Sequence, residues 1–387
     1  MFFDKKKKYQ RIDYILILVT FALLAFGLLM VHAATLSYGA VKHGSYMRTQ
    51  GFATLLGLFA MVLLMFTPTK LMKRLYIPIY VFCTGLLLFT LVGDALGGPI
   101  KVVTINHSRS WLSIGGFQFQ PAEFVKIGLV VCLATYMEKN RSTLNEPFTL
   151  LKLLAFAFLP VLLILLQPDK GTALVFVGII AVMFFIGGIS FKYILLALGM
   201  LAVVVPVFWF RLSDYAKNRI FDFLEPERDI LGSGMQGYLG KLMVGSGKIS
   251  GRGLFQGVLN QNNYLPLKHS DFIFPVIGEE LGIRGGLFLF VLYLLLLYRM
   301  LYIAKHGSYF TRVAVVGFIS MFLIHIWENV AMTMGLMPIT GIPLPFISHG
   351  GSFQLSNLIV IGIILGIKYS TEYTVKSPGQ KIDNLLR

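Results

Sequence analysis

Long apolar stretches alternate with short polar ones along almost the whole chain. An α-helix needs about 20 mostly apolar residues to cross the hydrocarbon core of a bilayer. Ten runs approach or exceed that length, the eighth of them interrupted near Gly282; they are 15–33, 52–66, 75–92, 124–137, 148–166, 172–189, 193–210, 272–304, 313–336 and 353–369. The pattern predicts an all-α polytopic membrane protein with about ten transmembrane helices.

Composition agrees with lipid as the main solvent. Of 387 residues, 56% are hydrophobic and 13% are charged, whereas a soluble domain is roughly 45–50% apolar and about 25% charged. A disordered chain would have low hydrophobicity, so that class is excluded as well. We predict one membrane domain over residues 1–387. The two cysteines, Cys83 and Cys132, fall in or beside apolar runs and indicate no disulfide framework.

The net charge of +16 is explained by topology, because no basic fingerprint for nucleic acid accompanies it. Short loops rich in Lys and Arg stay in the cytoplasm. Alternating spans place the basic residues 5–8, 70–74, 139–141, 299–312 and 376–387 on one side. We therefore expect both termini in the cytoplasm and the run 15–33 retained as the first span rather than removed as a signal peptide.

The longest segment between runs is predicted to be a large extracellular loop, residues 211–271, between spans 7 and 8. Connections longer than about 12–15 residues are usually functional or disordered. Short apolar groups alternate there with GSG, SGKISGRG and NQNN, a pattern typical of short helices and turns rather than of a second domain. We expect function to concentrate in this loop.

Ionisable side chains occur at positions where lipid makes them costly. Glu123 and Lys126 are three residues apart and share a helix face, which fits either a functional site or a salt bridge that neutralises both. Asp169 and Asp271 each precede an apolar run. A helix N-cap and a functional carboxylate are both compatible with either aspartate, and position alone does not separate them.

Three prolines interrupt the polypeptide between the last two runs, in MPITGIPLPFISHGGS (337–352). Proline cannot continue a helix, and irregular backbone at membrane depth requires protein or a watery cavity around it. The pattern indicates a re-entrant loop that lines a cavity, with an ordinary external turn as the alternative.

Several common chemistries lack their usual residues. We find no Walker P-loop, HExxH, CxxC, GxSxG or dinucleotide-binding glycine pattern, and these motifs underlie nucleotide hydrolysis, zinc proteolysis, redox and acyl-serine chemistry. Transporters, lipid-linked transferases and scaffolds remain.

The chain resembles the SEDS family (shape, elongation, division and sporulation), the RodA and FtsW peptidoglycan glycosyltransferases. The resemblance covers nearly the whole chain and is carried by five motifs in order: RSWLSIGGFQFQPAEFVKI (109–127), QPDKGTA (167–173), GSGKISGRGLFQG (245–257), YLPLKHSDFIFPVIGEELG (264–282) and MPITGIPLPFISHGGS (337–352). The PITGIPLP wording is closer to the RodA elongation branch than to FtsW.

The resemblance implies roles for individual residues. The family's essential extracellular aspartate falls on Asp271, which we expect to be the catalytic residue. The substrate-binding candidates are Arg109, Trp111, Glu123, Lys126, Asp169, Arg252, Lys268, Glu280, Thr340 and Ser348. Two positions depart from the family pattern, His349 where Tyr is usual and Lys170 where Leu is usual.

The implied reaction is polymerisation of lipid II into glycan strands at the outer face of the bacterial cytoplasmic membrane. Asp271 would act as general base on the acceptor GlcNAc 4-hydroxyl. Positive charge would assist the undecaprenyl diphosphate leaving group, with candidates Lys126, Arg109, Lys268 and Arg252. Mg²⁺ or Mn²⁺ is a candidate helper with no readable ligand set, and no organic cofactor is expected.

The expected partners are lipid II, the nascent glycan, a class B penicillin-binding protein that supplies the transpeptidase, and membrane proteins of the cell-shape or division machinery. Two other hypotheses stay open. The polar groups Glu123, Lys126 and Asp169 suit a lipid II flippase, and a non-catalytic scaffold would need helix faces but no carboxylates.

Overall fold

A computed structural model describes residues 12–96, 100–105, 108–114, 117–210, 217, 221, 223, 225 and 234–370. The basic residues 5–8 and 376–387, on which part of the topology prediction rests, lie outside them. The helices are α1 Tyr14–Thr35, α2 Ala40–Met65, α3 Thr69–Arg74, α4 Tyr76–Leu96, α5 Pro121–Lys139, α6 Pro147–Leu166, α7 Lys170–Gly187, α8 Phe191–Trp209, α9 Met235–Ser246, α10 Val258–Gln261, α11 Ile273–His306, α12 Tyr309–Thr333 and α13 Gly351–Ser370. A 3₁₀ turn, Leu36–Tyr38, joins α1 to α2.

The predicted all-α membrane fold is confirmed. Within the described ranges, eight helices are long and apolar enough to cross a membrane: α1, α2, α4, α6, α7, α11, α12 and α13. α5 and α8 coincide with two further predicted runs, and the count of ten spans stays a prediction. Large apolar side chains such as Leu18, Phe52 and Leu294 are exposed on the outside, as expected for helices surrounded by lipid.

Among the described helices, the closest packing joins α2 to α13. α13 is the most buried of the candidate spans. Glycines make the approach possible. A Cβ atom at Gly362 would lie 2.7 Å from Cα of Met61, and one at Gly57 would lie 2.5 Å from a methyl carbon of Leu358. Small residues at an interface let helix backbones approach closely in a membrane. α2 also begins twelve residues before its predicted run, because its first turns are polar but still helical.

A small sheet precedes α5 and was not predicted. Strands β1 (Ile100–Ile105), β2 (Ser108–Ile114) and β3 (Phe117–Phe119) pair antiparallel in the order β1-β2-β3. Trp111 stands opposite Val103, and Leu112 stands opposite Phe119. The strands are short and mix polar with apolar residues, so the apolar-run pattern did not reveal them.

Helix α11 breaks at Gly282, as the interrupted run predicts. This residue has φ 65° and ψ −159°, a conformation open to glycine because it has no side chain. The segment before α11, residues 234–270, fills the break: Ile283 N donates to the Lys248 carbonyl over 2.9 Å, and Arg252 N donates to the Glu279 carbonyl over 2.9 Å. The part of the chain before α11 therefore replaces the hydrogen bonds that the helix loses. Over residues 234–270 this segment consists of α9, α10 and turns, in agreement with the prediction of short helices.

Candidate functional site

Asp271 lies half-buried just ahead of α11, where its carboxylate faces the proline-rich segment near the carboxyl end. A Cβ atom at Gly341 would stand 3.5 Å from Oδ2 of Asp271. The N-cap position of α11 belongs to Phe272, the residue after Asp271. The two motifs that carry Asp271 and Gly341 meet at this point.

The proline-rich segment, residues 334–350, begins exposed and is packed inside the protein over residues 342–348. Leu344, Phe346, Ile347 and Ser348 are fully buried. Because prolines interrupt a regular helix, the segment's carbonyls lack helical partners. Side chains from neighbouring helices donate hydrogen bonds to them instead. The Asn329 amide donates to Ile342 O over 2.8 Å.

Two further carbonyls of this segment have buried side-chain donors. Tyr293 Oη donates to Pro345 O over 2.6 Å, and His325 Nδ1 lies 3.4 Å from Pro343 O. Irregular backbone at membrane depth is tolerated when protein satisfies it in this way. The packing favours a segment held within the helix bundle over a solvated external turn.

The beginning of α7 approaches the same segment from another side. A Cβ atom at Gly171 would lie 2.9 Å from the Thr340 carbonyl oxygen. Asp169 is the N-cap of α7, its Oδ1 accepting from Thr172 N at 3.1 Å, which confirms the capping alternative for this aspartate. Its Oδ2 accepts from Gln120 Nε2 at 3.0 Å. Asp169, Thr340 and Asp271 are thus brought to one region by three separate motifs.

Glu123 and Lys126 form a buried ion pair in α5. Lys126 Nζ lies 2.9 Å from Glu123 Oε1, and the two side chains are 1% and 6% exposed. Nζ also lies 2.8 Å from His325 Nε2. Because the ammonium can only donate, Nε2 accepts, and the imidazole's Nδ1–H is left to donate to Pro343 O. The salt-bridge alternative is confirmed, and the pair connects to the proline-rich segment through His325.

His325 and Glu328 are ionisable, almost fully buried residues that the sequence reasoning missed. Among the described residues, Glu328 Oε2 has no hydrogen-bond partner. Both lie inside the apolar run 313–336, where ionisable residues are rare and usually face the bundle interior. That rule was the available signal, and it would have pointed to α12 as a polar face of the bundle.

Lys268, two positions before the half-buried Ser270, has its ammonium enclosed by protein. Nζ donates to Ser37 Oγ over 2.8 Å and to the Asn260 carbonyl, and it stands 5.0 Å from the centre of the Tyr38 ring. Burial lowers the pKa of Lys268 to about 8, against the opposing effect of the Glu279 and Glu280 carboxylates. These contacts fasten the segment 234–270 to the 3₁₀ turn Leu36–Tyr38.

His269 and His349 lie beside this lysine, with ring centres 5.5 Å apart. Tyr38 Oη is 3.1 Å from His269 Nδ1, and the Tyr46 ring contacts both imidazoles. Burial lowers the pKa of each histidine to about 4, and the other imidazole adds to the effect at His269. Both side chains are therefore neutral near pH 7.

Glu279 and Glu280 hold the segment 234–270 from within α11. Glu280 accepts from Phe255 N at 2.9 Å and from Asn260 Nδ2 at 2.7 Å. Glu279 accepts from Leu259 N at 2.8 Å and from Asn260 N at 3.0 Å. Both carboxylates are fully buried, so the geometry gives Glu280 an anchoring task.

The remaining candidates occupy different surroundings. Ser348 is fully buried, donates to Ser270 O over 2.6 Å and accepts from Leu344 N at 2.7 Å. The first bond fixes the carbonyl of Ser270, the residue before Asp271.

Arg252 is exposed on the segment 234–270, with Nε 3.4 Å from Ser246 Oγ.

Two candidates lie on β2. Arg109 is exposed, and its N–H donates to Gln167 O, just before α7 begins, over 3.3 Å. Trp111 is half-buried on the same strand. Arg109 is thus a cation on the α7 side of the region that contains Asp271.

Among the residues that the structure describes, no three His, Cys, Asp or Glu side chains are grouped so that they could hold a metal ion. A divalent ion stays a prediction, and no chemical step is derived through one.

Comparison with known proteins gives one consistent result. A family model described as "cell cycle protein" and named for FtsW, RodA and SpoVE matches residues 14–373. Peptidoglycan glycosyltransferase MrdB of Escherichia coli strain K12 is 32% identical over 378 residues, which are 97% of this chain and 97% of that protein.

Two solved structures share the fold. A chain from a peptidoglycan synthase complex that coordinates polymerization and crosslinking matches with a TM-score of 0.78 and 29% identity, over 93% of this chain and 98% of that chain. The rod shape determining protein RodA of Thermus thermophilus matches with a TM-score of 0.67 and 26% identity, over 93% and 97% of the two chains. Together with the three motifs that meet near Asp271, these likenesses show that the chain belongs to the SEDS family of FtsW, RodA and SpoVE membrane proteins.

Proposed function

We propose that this protein is a peptidoglycan glycosyltransferase that polymerises lipid II into glycan strands, with Asp271 as general base. The observation that carries the proposal is the meeting of Asp271 with Gly341, whose Cβ position lies 3.5 Å from Oδ2 of Asp271. The name of the similar protein from E. coli, peptidoglycan glycosyltransferase MrdB, supports the reaction class.

The reaction needs one bond formed, one broken and one proton moved. The acceptor's GlcNAc 4-oxygen bonds to the anomeric carbon of the donor, and the bond from that carbon to undecaprenyl diphosphate breaks. The 4-hydroxyl proton passes to the Asp271 carboxylate, a step for which the base must lie within about 2.6–3.2 Å of the hydroxyl oxygen. The half-buried position of Asp271 suits a substrate that arrives at the membrane surface.

The leaving diphosphate gains from positive charge near it. Of the four predicted cations, Arg109 and Arg252 are exposed, whereas Lys126 and Lys268 are buried and bonded within the protein. We assign the diphosphate contact to the exposed arginines, with Arg109 next to the start of α7 as the first candidate. The buried lysines support the structure around the site.

We place the reaction at the outer face of the bacterial cytoplasmic membrane, with both termini in the cytoplasm. A class B penicillin-binding protein is the proposed partner, because a similar chain belongs to a synthase complex that couples polymerization with crosslinking. The likeness to a rod shape determining protein favours a role in cell elongation and shape.

A flippase would need polar groups that a passing headgroup can reach. Glu123 and Lys126 instead satisfy each other and His325, and they are 6% and 1% exposed. Asp169 serves as a helix cap. These contacts favour a transferase over a flippase.

The test is polymerisation of labelled lipid II by the purified protein together with a transpeptidase whose active serine is removed. Asp271→Asn should abolish the glycan ladder. Glu138→Gln is the matched control, since Glu138 is a partly exposed carboxylate paired with Lys73 outside the site, and it should leave the ladder intact. Lipid II that crosses a vesicle membrane without any ladder from the unmodified protein would overturn the transferase proposal.

A further inference from the structure

We propose that Asn329 is a positioning residue for this glycosyl transfer, holding the Asp271 backbone and the proline-rich segment at a fixed separation. The inference rests on the proposed function, because it gives Asn329 a task only if Asp271 acts on substrate. Asn329 lies in α12, inside the apolar run 313–336, and it is not among the predicted site residues.

The geometry is specific. Asn329 Nδ2 donates to the main-chain carbonyl of Asp271 over 2.8 Å and to that of Ile342 over 2.8 Å. One amide group thus uses its two hydrogens on two segments that are distant in sequence. The reversed amide would place an oxygen against both carbonyls, so the hydrogen-bond network fixes the orientation.

Burial strengthens these two hydrogen bonds. Asn329 is fully buried, and a polar contact in a low-dielectric interior is stronger than the same contact in water. The residue next to Ile342 is Gly341, which faces the Asp271 carboxylate. By bonding the carbonyls of Asp271 and Ile342, Asn329 therefore fixes the backbone on both sides of the contact between Gly341 and Asp271.

Asn329 also belongs to a row of donors on α12. His325 lies one turn earlier on the same face and contacts Pro343 O at 3.4 Å. Residues 342 and 343 are thus held by two side chains from one helix. A catalytic base misplaced by about 1 Å can lose about 100-fold in rate, which sets the scale of the expected effect.

The first experiment compares Asn329→Leu with Asn357→Leu in the full-length protein. Asn357 is an equally buried asparagine in α13 whose side-chain amide has no hydrogen-bond partner among the described residues. The proposed mechanism does not use it, so it controls for the exchange of a buried amide for an apolar side chain. We expect Asn329→Leu to lower kcat for lipid II polymerisation about 30- to 100-fold while KM changes less than about 3-fold. Asn357→Leu should change both constants less than about 3-fold.

A second readout separates positioning from general stability. Thermal unfolding and the affinity for lipid II are measured for Asn329→Leu on the sample used for kinetics. A positioning residue lowers kcat in molecules that are folded and that bind lipid II normally. A residue that only supports the fold lowers the folded fraction, so kcat per folded molecule stays the same.

A variant that fails to fold is replaced by Asn329→Ser, which keeps one shorter donor and should retain an intermediate kcat. Equal kcat losses in Asn329→Leu and Asn357→Leu, or an unchanged kcat per folded molecule in Asn329→Leu, would overturn the inference. Absence of polymerisation by the unmodified protein would instead refute the proposed function, so the two failures are distinguishable.

Discussion

Gly341 stands against Asp271, and a Cβ atom on this glycine would be 3.5 Å from the carboxylate Oδ2. Gly341 also has φ +75°, a backbone conformation that costs other residues roughly 1–2 kcal/mol. The same position therefore needs glycine for its backbone and keeps the space next to the proposed base free.

Gly341→Ala should lower polymerisation activity more than its loss of stability explains, because the new methyl group enters the space beside Asp271. Gly188→Ala is the matched control: Gly188 has φ +89° and open space around its Cβ position, so it adds the same kind of backbone strain far from Asp271. Initial rates and thermal unfolding of both variants test this. Equal activity in the two variants at equal stability would contradict the account.

Lys126→Met should destabilise the protein strongly, since it leaves the Glu123 carboxylate buried without its cation. Breaking a buried ion pair on one side costs about 3–5 kcal/mol. The double variant Glu123→Gln with Lys126→Met removes both charges and should regain part of that loss. Thermal unfolding in one detergent measures both, and a double variant no more stable than Lys126→Met would show that the pairing does not account for the loss.

Glu279→Gln should loosen the segment 234–270. Glu279 accepts from two backbone N–H groups of α10, those of Leu259 and Asn260, and an unsatisfied buried group costs about 1–3 kcal/mol. Limited proteolysis should cut residues 248–263 faster in this variant than in Glu138→Gln. Unchanged cleavage rates would mean that other contacts hold the segment.

Acidification should destabilise the protein through His269 and His349. Each has its pKa lowered to about 4 by burial, against about 6.5 in the unfolded chain. The unfolded state binds more protons between these values, so stability is complete above about pH 6.5 and falls as pH drops toward 4. Unfolding temperatures from pH 7 to pH 5 should fall more in the unmodified protein than in His349→Phe, and parallel curves would contradict this.

The apolar pattern predicted the helices and the break at Gly282 because both depend on local sequence. It did not predict the small sheet, whose short strands carry no long apolar run. Asp271 could be found from its motif, whereas Asn329 could not, since its role comes from two carbonyls that only the fold brings together. For the same reason the sequence did not reveal the contacts that Glu280, Lys268 and Ser348 make with the protein itself, and their part in substrate binding stays a prediction.

Asp271→Asn tests the central claim most directly when turnover and lipid II binding are measured on the same purified sample. General-base catalysis contributes about 10²–10⁴-fold in rate, so the account predicts a loss of kcat of that size with the affinity for lipid II nearly unchanged. Retained turnover, or a loss that follows weakened binding, would contradict Asp271 as the base.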